Sequence, residues 1–388
     1  VKRAVIIDAV RTPVAKGKAS GAYSEIHPVD LHAHSIRALV ERTGIDPAQV
    51  DDVISGVVGQ VGEQSGNNAR WAALAAGLPE SVPAVTIDRQ CGSSQQALHF
   101  AAQGIMSGAY DVAIASGVES MSHIPIGSQS LDRDFLGAGM VERYNGDLVP
   151  QGIAAEKIAA KWNMTREELD AFSAESHHRA ARAWRDGDMD AQVSYIDGLR
   201  TDETIREEST VESLADLRLA FKNDFWVERF PDLDWKVTAG NSSPINDGSA
   251  AVLVTSEEAA ERLGLTPRAY VHSVAVAGDD PTMMLTAVIP ATLKVLERAN
   301  LTVEDIDAFE INEAFASVVL AWQKETGADL SRVNINGGAI AIGHPLGASG
   351  ARLTTSLVNV LEQTGGRYGL QAMCEAGGLG NAMILERV

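Results

Sequence analysis

Four short stretches carry more cysteine, histidine, asparagine and glycine than a packed core requires: Gln90-Cys-Gly-Ser-Ser94, Asn312-Glu-Ala-Phe315, Gly343-His-Pro-Leu-Gly-Ala-Ser-Gly350 and Cys374-Glu-Ala-Gly-Gly378. The first runs from β-branched Thr86-Ile87 into apolar positions Leu98, Ala101, Ala102 and Ile105, which predicts a strand feeding a helix with Cys91 at its start. Free backbone N–H groups and the positive end of the helix dipole favour a thiolate there, the form that attacks carbonyl carbon. A free cysteine is more often a small buried hydrophobe, and this stretch alone leaves both readings open. His344 is one of nine histidines, a residue usually at the surface or in the core, but it sits in a constrained glycine and proline loop with no packing rationale, which points to catalysis. Gly377-Gly-Leu-Gly-Asn-Ala382 imitates a dinucleotide fingerprint, but it precedes a closing strand with no βαβ unit after it, so that reading is discounted.

The elements that would position these residues come in two copies. Opening residues Val1 to Val10 read as a buried strand rather than a signal peptide. A turn at Arg11-Thr-Pro13 then leads to an amphipathic helix over Pro28 to Thr43, with Leu31, Ile36, Leu39 and Val40 on one side. Asp46 is a candidate N-cap with Pro47 at the first helical position, ahead of a strand over Val53 to Val58. The same layout returns at Leu301 to Ile311, with Thr302 as N-cap and Asp305 at the capping-box position. Val333-Asn-Ile-Asn336 pairs with the strand at Val85 to Asp88, and Leu370 to Gly377 with Asp111 to Gly117. Two long copies in one order imply a duplicated α/β unit rather than a solenoid. Between them, about Met121 to Ile245, composition shifts to charged helices at Thr165 to Asp170, Glu175 to Asp186 and Asp202 to Leu219. The first half resumes at a buried strand, Asp247 to Val254, so the excursion is long enough to form a lid or binding lobe.

Composition excludes several classes. The formal net charge of -20 argues against nucleic acid or an anionic membrane as partner. With two cysteines far apart, no disulfide framework and no zinc spacing is present, which fits a reducing, cytoplasmic setting and no metal. No apolar run approaches the length of a membrane span.

Taken in order, together with Thr238-Ala-Gly-Asn-Ser-Ser243-Pro-Ile-Asn-Asp-Gly248, the islands resemble the thiolases, the acyl-CoA C-acyltransferases. The resemblance covers essentially the whole chain. It implies an α/β fold of duplicated αβαβα layered halves with an inserted loop domain. The expected division is residues 1–120 plus 246–266 for the N-terminal half, 121–245 for the lid or CoA-binding loop domain, and 267–388 for the C-terminal half.

The resemblance makes Cys91 the acylated nucleophile, His344 its base and Cys374 the second acid/base. Asn312 with the His344 ring would form one oxyanion hole, and the backbone N–H groups of Cys91 and Ala376 the other. Asn312 could instead cap a helix starting near Glu313. Ala376 departs from the family's usual Cys-x-Gly-Gly-Gly, so its donor role requires a negative φ. Coenzyme A or acetyl-CoA is the implied co-substrate, with no permanently bound cofactor. Ala239, Ser243 and Phe315 are placed by similarity near its pantetheine arm, and Arg206 and Ser213 near its adenosine end. A surface ion pair with Glu203, Glu207 or Glu208 is the other reading of Arg206.

The loop Asp147 to Gly152 looks like that of degradative thiolases. Met284 and Leu285, in a run departing from Met-Gly-x-Gly-Pro, are the expected acyl-pocket residues. Phe225, Trp226, Phe230 and Trp235 line an acyl tunnel or form a packed insertion core. The implied reaction is thiolysis of 3-ketoacyl-CoA, as in fatty-acid β-oxidation, by a homodimer or homotetramer. The alternatives are condensation of two acetyl-CoA, a ketoacyl synthase, and a non-catalytic lipid carrier or scaffold. Ketoacyl synthases carry two histidines in place of histidine plus a second cysteine, which Cys374 disfavours.

Overall fold

The computed structural model describes residues 2–196 and 198–388. The first strand β1 (Ala4–Arg11) shows why the sequence forms layers. Its alternate residues face opposite cores: Val5 and Ile7 meet an outer cluster, while Ala4 and Ile6 meet a central one. The remaining N-terminal elements are β2 (Ala15–Lys16), α1 (Pro28–Thr43), β3 (Asp52–Gly56), α2 (Asn68–Ala75), β4 (Ala84–Ile87), α3 (Ser93–Ser107) and β5 (Val112–Ser120). The excursion supplies α4 (Gly137–Arg143), α5 (Gln151–Lys161), α6 (Arg166–Asp186), α7 (Val211–Ala215) and α8 (Asp224–Arg229). Then follow β6 (Asn246–Ser256), α9 (Glu257–Leu263), β7 (Ala269–Gly278), α10 (Val288–Ala299), β8 (Ala308–Ile311), α11 (Ala316–Thr326), α12 (Ala339–Ile342), α13 (Ser349–Thr364), β9 (Tyr368–Glu375) and β10 (Leu379–Arg387).

The strands run in the order β4-β3-β5-β6-β1-β7-β10-β9-β8. The duplication is visible in the pairing senses. In the first half β3 pairs β5 in parallel, and β5–β6 and β6–β1 are antiparallel. In the second, β8 pairs β9 in parallel, and β9–β10 and β10–β7 are antiparallel. The halves join edge to edge where Val5 and Ile6 of β1 meet Tyr270 and Ala269 of β7. Helices α3 and α13 pack together between the two sheet halves, α1 and α2 cover one outer side, and α10 and α11 the other. The result is the expected layered αβαβα arrangement, continuous through β1 and β7.

Several expectations are corrected. Among the described residues Val333 makes one isolated parallel bridge, to Phe309, and no full counterpart of β4 is present in the second half. The physical reason is that the Asn334 side chain takes over the pairing, accepting from Ile311 N at 2.9 Å and donating to Ile311 O at 2.9 Å. Helix over Asp202 to Leu219 shrinks to α7, because Asp202 and Glu203 are held as turn acceptors by Val14 N and Lys16 N. The two charged segments from Thr165 to Asp186 are one helix, α6, opened by a capping box of Thr165 and Glu168.

The excursion is fastened to the first strand. Buried Arg11 forms a two-pronged ion pair with Asp202, at 2.7 and 3.1 Å, and Asp202 also accepts from Val14 N at 2.8 Å and Trp184 Nε1 at 2.8 Å. These bonds satisfy a carboxylate that would be costly to bury alone.

Candidate active site

Cys91 lies in the turn between β4 and α3, where Gln90 takes φ 48° and Gly92 caps the helix. Leu98, Ala101, Ala102 and Ile105 face the central core as their spacing predicts. The entry of α13 is pressed against this turn. Ala351 N donates to Ser94 Oγ at 2.8 Å, and a side chain at Gly350 would meet Gln95 N at 2.2 Å, so only glycine allows the two helices this approach. That contact brings the His344 loop of one half to the Cys91 turn of the other.

Below the loop, buried Glu119 at the end of β5 accepts from Val58 N, Gly59 N and Gly347 N at 2.8 to 3.0 Å and from Gln64 Nε2 at 2.7 Å. Asn246 Oδ1 accepts from His344 N at 2.9 Å. The imidazole Nδ1 lies 2.6 Å from Ser349 Oγ, whose own hydroxyl donates to Pro345 O at 2.9 Å. Ser349 has thus spent its proton, so Nδ1 carries the hydrogen and Nε2 is the bare, basic nitrogen.

Asn312 connects the other two groups. Its Nδ2 is 3.4 Å from His344 Nε2 and 3.8 Å from Cys374 Sγ, and Cys374 Sγ in turn donates to Asn312 O at 3.8 Å. Helix α11 begins at Ala316 with Phe315 as its cap, so Asn312 caps nothing. Cys91, His344, Asn312 and Cys374 are all buried. Ala376 is in the turn between β9 and β10 and is absent from the positive-φ residues, which Gly377 and Gly378 supply, so the condition on its backbone donor is met.

The electrostatics overturn one expectation. Cys91 precedes the helix cap, and burial, followed by the Cys374 and Glu375 charges, pushes its thiol well up rather than down. Burial also raises Cys374, to about 11, against the bond from Asn312. His344 is lowered to about 3 by burial and then by Arg352, which keeps it neutral. The resting site therefore holds two thiols and a neutral base.

The residues expected near coenzyme A fall into a connected set. Ser243 N donates to Ala314 O at 2.9 Å, Ser242 bridges Phe315, and Ala239 is exposed one residue before Gly240, against which Leu214 and Leu217 pack. Ser213 of α7 is exposed, but its hydroxyl serves the capping box with Thr210, which removes it as an uncommitted donor. Arg206 is exposed and makes no ion pair among the described residues, because Glu203 pairs with Lys16 and Glu207 with Arg185.

Met284, at φ 55°, accepts from Gly378 N at 3.1 Å, beside the Ala376 turn. Met284 also touches a satellite cluster of Val149, Ile153, Phe221, Trp226, Phe230 and Trp235. Leu285 is fully buried in the C-terminal core, and Phe225 is exposed. Two cavities of about 480 and 400 Å³ lie elsewhere, beside Trp162 and between α6 and α11.

Ser349, Asn246 and Glu119 were not singled out from sequence. Ser349 was within reach, five residues after His344 inside the same island.

A duplicated α/β fold that gathers two thiols, one imidazole and one amide is the arrangement of a thioester-dependent acyltransferase. Family models for the thiolase N-terminal domain and the thiolase C-terminal domain match residues 4–258 and 265–387. The chain is 48% identical to the steroid 3-ketoacyl-CoA thiolase FadA6 of Mycobacterium tuberculosis, over 99% of this chain and 94% of that one. It is 43% identical to a 3-ketoacyl-CoA thiolase of Escherichia coli O139:H28, over the full length of both. The Bacillus anthracis acetyl-CoA acetyltransferase superposes with a TM-score of 0.87 at 37% identity, over 100% of this chain and 99% of the other. The chain belongs to the thiolase family and is an acyltransferase with coenzyme A as co-substrate. No helix among the described residues is long and apolar enough to cross a membrane.

Proposed function

We propose that Cys91 is the acylated nucleophile, His344 Nε2 its base, Cys374 the second acid/base and Asn312 the donor that orients them. The observation carrying this reading is the single buried amide of Asn312, which reaches both His344 Nε2 and Cys374 Sγ. In thiolysis the Cys91 proton passes to His344 as sulfur attacks the 3-keto carbon. The C2–C3 bond then breaks, and Cys374 delivers its proton to C2 of the departing acetyl-CoA enolate. Coenzyme A next gives its thiol proton to the Cys374 thiolate and attacks the acyl group. Cys91 leaves as thiolate and recovers the proton held by His344.

The backbone N–H groups of Cys91 and Ala376 are the donors for the thioester oxyanion. Coenzyme A lies along Ala239, Ser243 and Phe315, with Arg206 at its adenosine end. The excursion, residues 121–245, is the loop domain over the two halves. Met284, placed between the Ala376 turn and the aromatic cluster, supports an acyl group larger than acetoacetyl. The chain acts as a homo-oligomer in the cytoplasm, in degradation of acyl chains.

Incubation with a 3-ketoacyl-CoA and mass spectrometry of the digest tests the assignment. The shortened acyl group is expected on the Cys91 peptide and absent from Cys91→Ser; acylation elsewhere refutes it. A panel of ketoacyl chain lengths checks the acyl pocket, and strict preference for acetoacetyl-CoA refutes that part.

A further inference from the structure

Glu375 follows Cys374 at the end of β9 and is fully buried. Neither of its carboxyl oxygens has a hydrogen-bond partner among the described residues. Buried carboxyls are normally paired, so one left bare beside a reactive group requires an explanation. Its position is specific. A side chain at Gly92 would lie 1.8 Å from Glu375 Oε1 and 2.7 Å from its Cδ, so the carboxyl occupies the space that glycine leaves next to the nucleophile. Asn381 on β10 closes the same corner, donating to Gly92 O at 3.0 Å, with its own Oδ1 bare.

We propose, on the reading that Cys91 is the nucleophile, that Glu375 is a positioning residue that sets the charge state of Cys91. Ionised, the carboxylate wedged against Gly92 opposes the thiolate; protonated, it permits it. Two negative charges in one dry corner repel strongly, so the site favours one at a time.

The surrounding groups leave room for this role. Asp88 and Arg89 from the same turn oppose each other in their effect on Glu375, and burial is the largest influence, raising its pKa to about 8. Glu375 in turn raises both Cys91 and Cys374. Glu119 adds a weaker push on Cys91, and His99 of α3, near Arg89, is held neutral by burial.

The test is the rate of iodoacetamide labelling of Cys91, followed by mass spectrometry from about pH 6 to about pH 11 in wild type and Glu375→Gln. Removing the charge is expected to lower the labelling midpoint by about one pH unit, which makes labelling about tenfold faster between about pH 8, where Glu375 ionises, and the wild-type midpoint, and leaves the rates alike below that range. Glu375→Met supplies a second uncharged variant of similar length and is expected to shift likewise. Glu375→Asp keeps the charge and is expected to hold the wild-type midpoint. A residue serving only to pack would change the rate at every pH and leave the midpoint in place. An unchanged or raised midpoint in either folded neutral variant overturns the proposal. Wild type that labels elsewhere than Cys91 overturns instead the nucleophile assignment.

Discussion

The proton on His344 Nδ1 is fixed by one hydroxyl, which makes Ser349→Ala a direct probe of the site. The ring nitrogen and Ser349 Oγ are 2.6 Å apart, and the hydroxyl hydrogen is committed to Pro345 O. Alanine leaves a buried N–H with no acceptor, a loss of about 1–3 kcal/mol. The imidazole escapes that loss by moving its hydrogen to Nε2, where it can no longer accept the Cys91 proton. Converted through transition-state theory, the same energy lowers kcat/KM by roughly 5- to 150-fold. The assay is the initial rate of 3-ketoacyl-CoA consumption at limiting substrate, run beside Ser349→Thr, which keeps the hydroxyl and recovers most of the activity. A folded alanine variant within about twofold of wild type would show that Nε2 is not the basic nitrogen.

Asn312→Ala removes the amide from both His344 and Cys374 and is expected to lower kcat by about 10²–10³, the range for one oxyanion-hole donor; an equal rise in KM with kcat unchanged would count against it. Asp202→Ala strands buried Arg11 and should destabilise the protein by about 3–5 kcal/mol, read from denaturant unfolding. Stability should peak near neutrality. His32, His99, His177 and His344 are held at about 3 to 4 by burial, so the unfolded chain binds more protons below its ordinary histidine pKa and stability falls as pH drops through 6.5. Glu310 and Glu375, raised to about 8, bind more protons when folded, so their contribution is lost as pH rises toward 8. Thermal unfolding across pH checks the two limbs, and Glu310→Gln should flatten the alkaline one.

What the sequence made legible follows from how local each signal is. Helix α1 matches its expected bounds because its start, apolar face and closing Gly44 all lie within one stretch. Cys91, His344, Asn312 and Cys374 stood out by residue type against glycine-rich surroundings. The raised Cys91 thiol did not, because burial by residues hundreds of positions away outweighs the helix end beside it. The missing strand at Val333 was hidden for a similar reason. Its β-branched pattern is sound, yet Asn334 occupies the hydrogen bonds of Ile311 from the side. Ser349 acts on His344 from five residues away in its own loop, a local signal, whereas Glu119 acts through the N–H groups of Val58, Gly59 and Gly347, which only the folded chain brings together.

Strand β6 lies between β5 and β1 in space but follows β5 by the whole excursion in sequence. A chain emerging from the ribosome therefore presents β5 and β1 with bare flanks while more than a hundred further residues are made. Such unfilled edges invite pairing with other chains, and distant contacts form slowly. Asp202 is synthesised before β6, so the Arg11 to Asp202 clasp is available to tether the growing loop close to its docking place while the gap is still open. Damage to this clasp would then lower soluble yield during synthesis more than it lowers turnover by molecules already assembled.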